Sequence, residues 1–385
     1  MASTFDLSPV PAPPLEHPLE DGWTLPASWY SDLGVAALER ERVFANTWQY
    51  GGPAERVAEP GSFMATEAGH IPVVVTRDSE GVLRAFVNVC RHRAYVIARE
   101  HGCRATLQCP YHAWTYGLDG ALRNAPRSDR EVDFDPAHFS LLPVAVETWG
   151  PFLFVNPNAD AGPLAETLGE LPAIVARSGL DLDNLRFHSS GRWPIEANWK
   201  ITMENYLECY HCPVAHPGFS KVIDVDPDSY ALSVSPTFMS QIGPIRASAL
   251  SENGSAPYRP VGEVTQSQYH FIWPNTTINI APGPANISLE RYVPDGVGRT
   301  IEVTDYWFGT DVPDDIVQEV LEFDAQVGQE DIDLVVTVQA GLLSGAVPQG
   351  RLMRESEQLI ADFQRRLYDA IAGGGDTGVA PTPNL

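Results

Sequence analysis

The chain predicts an α+β protein built in two parts. One is a small all-β domain. The other is a larger domain of antiparallel sheet flanked by helices. Three observations carry this reading. The length of 385 residues suits two domains. Short β-rich runs, broken by turn residues, fill positions 51–156. After position 157, strand-rich stretches give way to long helical patterns.

Taken in order, residues 1–20 are rich in Pro and acidic residues and read as an extended arm. Trp29 to Thr47 reads as a helix, with Leu33, Ala37, Leu38 and Val43 apolar. Ile71–Thr76 and Leu83–Val89 read as strands parted by the turn Asp78-Ser79-Glu80-Gly81. Asp119-Gly120 marks a hairpin inside Thr115–Leu122. Leu142–Glu147 and Phe152–Val155 add two strands, and Pro157–Gly162 is a linker. Leu164–Ser178 reads as a helix, and Ile195–Ala215 as a long segment with no breaker before Pro213. Tyr269–Pro282 and Ile287–Phe308 are strand-rich. Pro313-Asp314-Asp315 opens a helix running to about Leu343. Glu355–Ile371 is a final amphipathic helix, and the Gly- and Pro-rich 374–385 reads as a disordered tail.

The formal net charge of −25 argues against nucleic acid, which needs a basic face, and against anionic membranes. No run of about eighteen apolar residues exists, and the start lacks a basic-then-apolar leader. The expected location is cytoplasmic. Five cysteines, an odd number, do not suggest a disulfide framework.

Cys90-Arg91-His92 is followed after sixteen residues by Cys109-Pro110-Tyr111-His112. Two thiolates and two imidazoles on two loops fit a Rieske [2Fe–2S] cluster, with one iron on Cys90 and Cys109 and the other on His92 and His112. Neutral imidazoles in place of thiolates raise the potential of such a cluster. A structural zinc site is the alternative, although zinc pairs are usually spaced more widely than Cys-x-His. Ala94 and Ala113 stand where such loops often carry Gly, so a slightly altered loop is expected.

A second constellation is Glu204-Asn205-Tyr206-Leu207-Glu208-Cys209-Tyr210-His211, continuing to His216. Two His and one carboxylate on one face of an iron are the mark of non-haem Fe(II) oxygenases. On a straight helix His211 and His216 would diverge by about 140°, and Pro213 between them ends or bends the helix, which can bring both rings to one metal. The carboxylate must come from elsewhere. The acidic helix offers Asp324, Glu330, Asp331 and Asp333. Cys209-Tyr210-His211-Cys212 is also a Cys-x-x-Cys, readable as a redox pair or half of a zinc site.

Both motifs, in this order, resemble the catalytic α subunit of Rieske non-haem iron oxygenases. The resemblance runs from about Trp48 to Tyr368 and includes Asn198-Trp199-Lys200, Pro274-Asn275 and Gln339-Ala340-Gly341-Leu342. It implies a Rieske domain over 46–156 and a mononuclear iron catalytic domain over 157–373. The arm and helix of 1–45 would pack on the latter. The family pattern of two acidic residues ahead of the two His matches Glu204, Glu208, His211 and His216. It makes His211 and His216 iron ligands and picks Asp331 as the third. Glu204 and Asn205 fall in the same functional segment. Glu208 stands at the acidic position that bridges to the next subunit's cluster. Where ring dioxygenases usually have Asp, this Glu looks most like the choline, glycine betaine and carnitine monooxygenase branch.

The resemblance further implies a homotrimer, O2 as co-substrate and a small organic substrate. No Gly-x-Gly-x-x-Gly follows a strand, so electrons must come from a separate NAD(P)H flavin reductase or a ferredoxin. The expected reaction is hydroxylation of an N-methyl carbon of a quaternary ammonium compound. An aromatic-ring oxygenase and a Rieske electron carrier or redox sensor without oxygenase activity are the alternatives. An ammonium substrate would want aromatics such as Tyr206, Tyr210, Phe238, Tyr269, Phe271, Trp273, Tyr306 and Trp307. A substrate carboxylate would want Arg246, Arg259 or Arg291.

Overall fold

Short side chains set the turns of the first sheet. Asp78 Oδ1 accepts the backbone N–H groups of Glu80 and Val82 at 3.0 and 2.9 Å, folding Ile71–Arg77 against Leu83–Val87 as antiparallel strands. Gly120 has φ +81°, and a Cβ there would meet the Phe86 ring at 2.4 Å. Only glycine closes the turn joining Thr115–Gly117 to Leu122–Asn124. The computed structural model describes residues 13–251, 256–258 and 260–372.

Three sheets result. The first has seven strands, in the order Gln49–Pro53, Phe152–Asn156, Pro143–Trp149, Leu83–Val87, Ile71–Arg77, Ser62–Ala68 and His101–Cys103. A three-stranded sheet, Thr106–Gln108, Thr115–Gly117 and Leu122–Asn124, sits beside it. The third sheet, also of seven strands, runs from Leu185–Ile195 through Thr300–Gly309, Asn286–Pro294, Thr276–Ile280, Gln266–Ile272 and Phe238–Pro244 to Ala231–Val234. Its pairings are all antiparallel.

A shared core welds the first sheet to the third. Tyr50, Phe152 and Phe154 pack with Ile278, Leu289 and Trp307. Tyr50 donates its hydroxyl to Asp305 at 2.6 Å, satisfying a buried polar tip. Helices cover the opposite side of the third sheet. Asn198 caps the Trp199–Tyr206 helix, accepting from Lys200 N–H at 3.0 Å. The Asn198 N–H donates to Gln339 of the thirty-residue helix Asp314–Leu343 at 2.7 Å. Buried Glu39 holds Lys200 Nζ at 2.6 Å and Trp199 Nε1 at 2.9 Å. That ties the Leu33–Arg42 helix to the larger part.

Several expected elements differ. Trp29–Thr47 is not one helix. A 3-10 turn at Ala27–Tyr30 precedes Leu33–Arg42, which starts at an Asp32 cap, and a second 3-10 turn follows at Phe44–Asn46. Gly169 at φ +52° splits Leu164–Ser178 into Leu164–Leu168 and Leu171–Arg177. Ile195 ends a strand, and the helix after it stops at Tyr206. Residues 1–12 of the arm and the expected tail at 374–385 lie outside the described residues.

Candidate active site

The cluster motif folds into two matching loops. Cys90 and Cys109 are buried, and the His92 and His112 rings stand 4.5 Å apart nearer the surface. The N–H of Ala94 donates to Cys90 O, and that of Ala113 to Cys109 O, each at 3.0 Å. Tyr116 OH lies 3.3 Å from Cys90 Sγ and accepts the Arg91 N–H at 3.0 Å. Ala94 and Ala113 adopt φ +55° and +59°, at a cost of about 1 kcal/mol each. Inward thiols and outward imidazoles are the arrangement a cluster with one Cys₂ iron and one His₂ iron requires.

The second constellation also converges, by a different route than a bent helix. His211 caps the four-residue helix Cys212–Ala215 and His216 closes it, with Pro213 in its first turn. This tight turn, not a kink, aims both rings inward. His211 Nε2 and His216 Nε2 are 3.0 Å apart. Asp331 Oδ1, from the long helix, lies 3.0 Å from His216 Nε2 and 3.5 Å from His211 Nε2. Bonds of about 2.1 Å at right angles place donor atoms about 3 Å apart, so the set fits three adjacent positions on one metal.

Carboxylates orient both rings. Glu208 takes His211 Nδ1 and accepts the backbone N–H groups of Tyr210 and His211. Glu330 Oε2 lies 2.8 Å from His216 Nδ1. Burial opposes charge on His211, yet Asp331 and Glu208 raise it to about 9. Burial also opposes the Asp331 carboxylate, but the two imidazoles hold it below its ordinary value. Such a set binds protons that a dication displaces.

The other acidic candidates have other partners. Asp324 accepts from Tyr306 OH at 2.5 Å, and Asp333 from Gln329 Nε2 at 2.9 Å. Glu330, considered as a ligand, orients His216 instead. Asn205 lines the cavity beside the triad, but Glu204 does not. Glu204 accepts from Tyr30 OH at 2.6 Å and Gln364 Nε2 at 2.8 Å, and burial lifts it to about 7. Its role is to tie the N-terminal turn to the last helix. Cys209 and Cys212, readable from the sequence as a redox pair or half of a zinc site, are joined as a disulfide, with Cα atoms 4.9 Å apart. The turn before Pro213 brings them within disulfide reach.

The cavity beside the triad, of about 150 Å³, is lined by Tyr206, Tyr230, Tyr269 and Tyr292 and by Glu290, Glu302 and Asp324. Sequence reasoning missed the two glutamates, because strand alternation does not reveal what lies opposite a face. Arg246 is bound to Asp224 at 2.9 Å and to Ser220 O. Arg291 donates to Tyr50 O, Gly51 O and Thr66. Neither lines the cavity, and Arg259 lies outside the described residues. Of the expected aromatics, Tyr210 is exposed, and Phe271 and Trp273 pack in the core around Phe363.

Fold and site together define a Rieske-type oxygenase that holds a [2Fe–2S] cluster and a mononuclear iron and uses O2. The chain belongs to the ring-hydroxylating oxygenase α-subunit family. Residues 47–148 match the Rieske [2Fe-2S] domain, and residues 182–373 match the ring hydroxylating alpha subunit (catalytic domain). The chloroplastic choline monooxygenase of Beta vulgaris is 32% identical, over 92% of this chain and 79% of its own. The carnitine monooxygenase oxygenase subunit of Acinetobacter pittii is 31% identical, over 89% of this chain and 93% of its own. A solved quaternary ammonium Rieske monooxygenase, described for carnitine oxidation and inter-subunit electron transfer, superposes with TM-score 0.80 at 29% identity, covering 91% and 96%. Among the described residues, no helix is long and apolar enough to cross a membrane.

Proposed function

We propose that this chain is a terminal oxygenase component that hydroxylates an N-methyl carbon of a quaternary ammonium compound. The carrying observation is the cavity beside His211, His216 and Asp331, walled by tyrosines and carboxylates. Aromatic faces and nearby carboxylates attract a methylated ammonium that offers no hydrogen bond. Relatives acting on choline and carnitine support the same reading.

In this proposal Cys90, His92, Cys109 and His112 hold the cluster, and His211, His216 and Asp331 hold the mononuclear iron. The cluster supplies an electron, and the iron supplies the O2-activating chemistry. The chain's own side chains do the rest. Glu208 and Glu330 fix the two ligand rings through Nδ1. The tyrosine walls would orient the N-methyl group toward the triad. The overall reaction takes R₃N⁺–CH₃, O2, two electrons and two protons to R₃N⁺–CH₂OH and water. Loss of formaldehyde and a proton then leaves a tertiary amine, whereas oxidation elsewhere on the substrate yields an aldehyde.

Glu208 also suits a link between subunits. In a head-to-tail homotrimer it would join His211 to His112 of the partner subunit, and the inter-subunit electron transfer of the solved relative supports that arrangement. Electrons would come from a separate NAD(P)H flavin reductase, directly or through a ferredoxin. We place the protein in the cytoplasm, where a reducing setting suits cluster assembly. The test is O2 consumption by the reduced protein with N-methyl ammonium compounds against benzoates. Ammonium-dependent uptake with loss or oxidation of a methyl-bearing group is expected. Uptake with benzoates alone would replace the reading with an arene oxygenase.

A further inference from the structure

The polar side of the cavity is one-sided. Glu302 and Asp324 face it beside Asp331, and no Lys or Arg lines it among the described residues. Glu302 Oε1 accepts from Thr304 at 2.9 Å, and Asp324 Oδ2 from Tyr306 at 2.5 Å. The second oxygen of each has no protein donor among the described residues. Glu290 is different, since both its oxygens already have protein donors, Thr277 and Tyr292 on Oε2 and Asn279 on Oε1.

Gln241 supplies an independent sign of a ligand. Its side chain lines the cavity and is only 3% exposed, and its Oε1 has no hydrogen-bond partner. Its Nε2 donates to the Tyr206 carbonyl at 2.6 Å. A carbonyl only accepts, so the amide cannot be turned round to remove the mismatch. A buried acceptor left open asks for a donor from the molecule that fills the cavity.

We propose that the substrate is a small ammonium compound with a net positive charge, a hydrogen-bond donor and no carboxylate, selected by Glu302, Asp324 and Gln241. This deepens the N-methyl hydroxylation reading and rests on it. A substrate carboxylate would meet two carboxylates and an open carbonyl, with Arg246 and Arg291 engaged elsewhere. Burial, then the neighbouring acids, pushes Glu302 up to about 7, as expected for crowded carboxylates facing no cation. A cavity of about 150 Å³ can hold benzene, so the size also favours a molecule of few heavy atoms.

The test is calorimetric titration of the oxidised, iron-loaded full chain with four probes. They are choline (cation with hydroxyl), tetramethylammonium (cation without donor), glycine betaine (zwitterion) and 3,3-dimethylbutan-1-ol (neutral isostere of choline). Choline should bind at least about tenfold tighter than glycine betaine and than the neutral alcohol. Glu302→Gln and Asp324→Asn should each weaken choline by about fivefold or more and leave the neutral alcohol unchanged. Gln241→Met should weaken choline and spare tetramethylammonium. The visible spectrum of the cluster checks that each variant is folded, and the wild-type ranking decides the matter if a variant is not. Glycine betaine binding as tightly as choline would overturn this proposal and leave N-methyl hydroxylation standing. No binding of any ammonium probe would remove both.

Discussion

Glu330 Oε2 lies 2.8 Å from Nδ1 of His216, while the other nitrogen of that ring, Nε2, lies 3.0 Å from Asp331 Oδ1. Glu330 and Asp331 are neighbours in sequence, yet they grip opposite edges of one imidazole. In the proposed iron site the first would fix the tautomer and the second would share the metal face. Glu330→Ala should therefore lower iron affinity by roughly 10–100-fold, with the cluster spectrum intact. Iron content measured against free iron checks this, and unchanged affinity would strip Glu330 of its orienting role.

Glu208 makes the corresponding grip on His211 and also accepts the His211 backbone N–H at 3.2 Å. Glu208→Gln keeps the shape and removes the charge. Both metals should stay bound, while electron transfer from cluster to iron slows. Rapid mixing of the reduced protein with substrate and O2 reads the rate of cluster reoxidation. A wild-type rate would exclude the bridging role.

Ala94 and Ala113 hold left-handed conformations at the two cluster loops. Glycine relieves the Cβ clash but gains freedom in the unfolded chain. The net gain for each Ala→Gly change is about 0.5 kcal/mol. The midpoint for loss of cluster absorbance in denaturant should rise for each and add for the pair. A fall would mean that the alanine methyls pack to advantage.

The cavity acids give a pH dependence of known sign. Burial, followed by Glu302 and Asp324, pushes Glu290 up to about 8, and burial with the neighbouring acids lifts Glu302 to about 7. Both values lie above the ordinary 4.5, so folding favours the neutral acids. The stability they contribute is full below about pH 4.5 and is lost as pH rises through 7 to 8. A cationic ligand prefers the ionised acids, so its affinity should increase over the same window. Thermal midpoints and dissociation constants from pH 6 to 9 test both signs. Flat profiles would mean that these carboxylates are already ionised at pH 6.

The most legible parts of the chain were those where one contiguous motif builds one object. Each cluster loop carries its own Cys, His and turn, so Cys90, His92, Cys109 and His112 were readable together. The strands around Asp78 and Asp119-Gly120 followed from turn chemistry that needs no distant partner. The His211–His216 pair was visible, but not the turn that aims it, because a Pro inside an apolar run signals a break and a helix start equally well. Asp331 was separable from Asp324, Glu330 and Asp333 only through the family resemblance. Composition alone does not say which rotation the long helix takes against the third sheet. Glu204 sits in the motif segment and yet faces Tyr30 and Gln364, contacts more than 150 positions away. The Cys209–Cys212 pairing depended on a loop geometry that spacing leaves open.

The proposed function assigns N-methyl ammonium oxidation to a metal face made by His211, His216 and Asp331. Its most direct test is one turnover of chemically reduced protein with O2 and choline, comparing the wild type with Asp331→Ala. The wild type should convert about one substrate per mononuclear iron as its cluster reoxidises. Asp331→Ala should keep the cluster spectrum, lose the second iron and yield no product. Product formed equally by the variant, or cluster reoxidation in the wild type with every ammonium compound untouched, would contradict it.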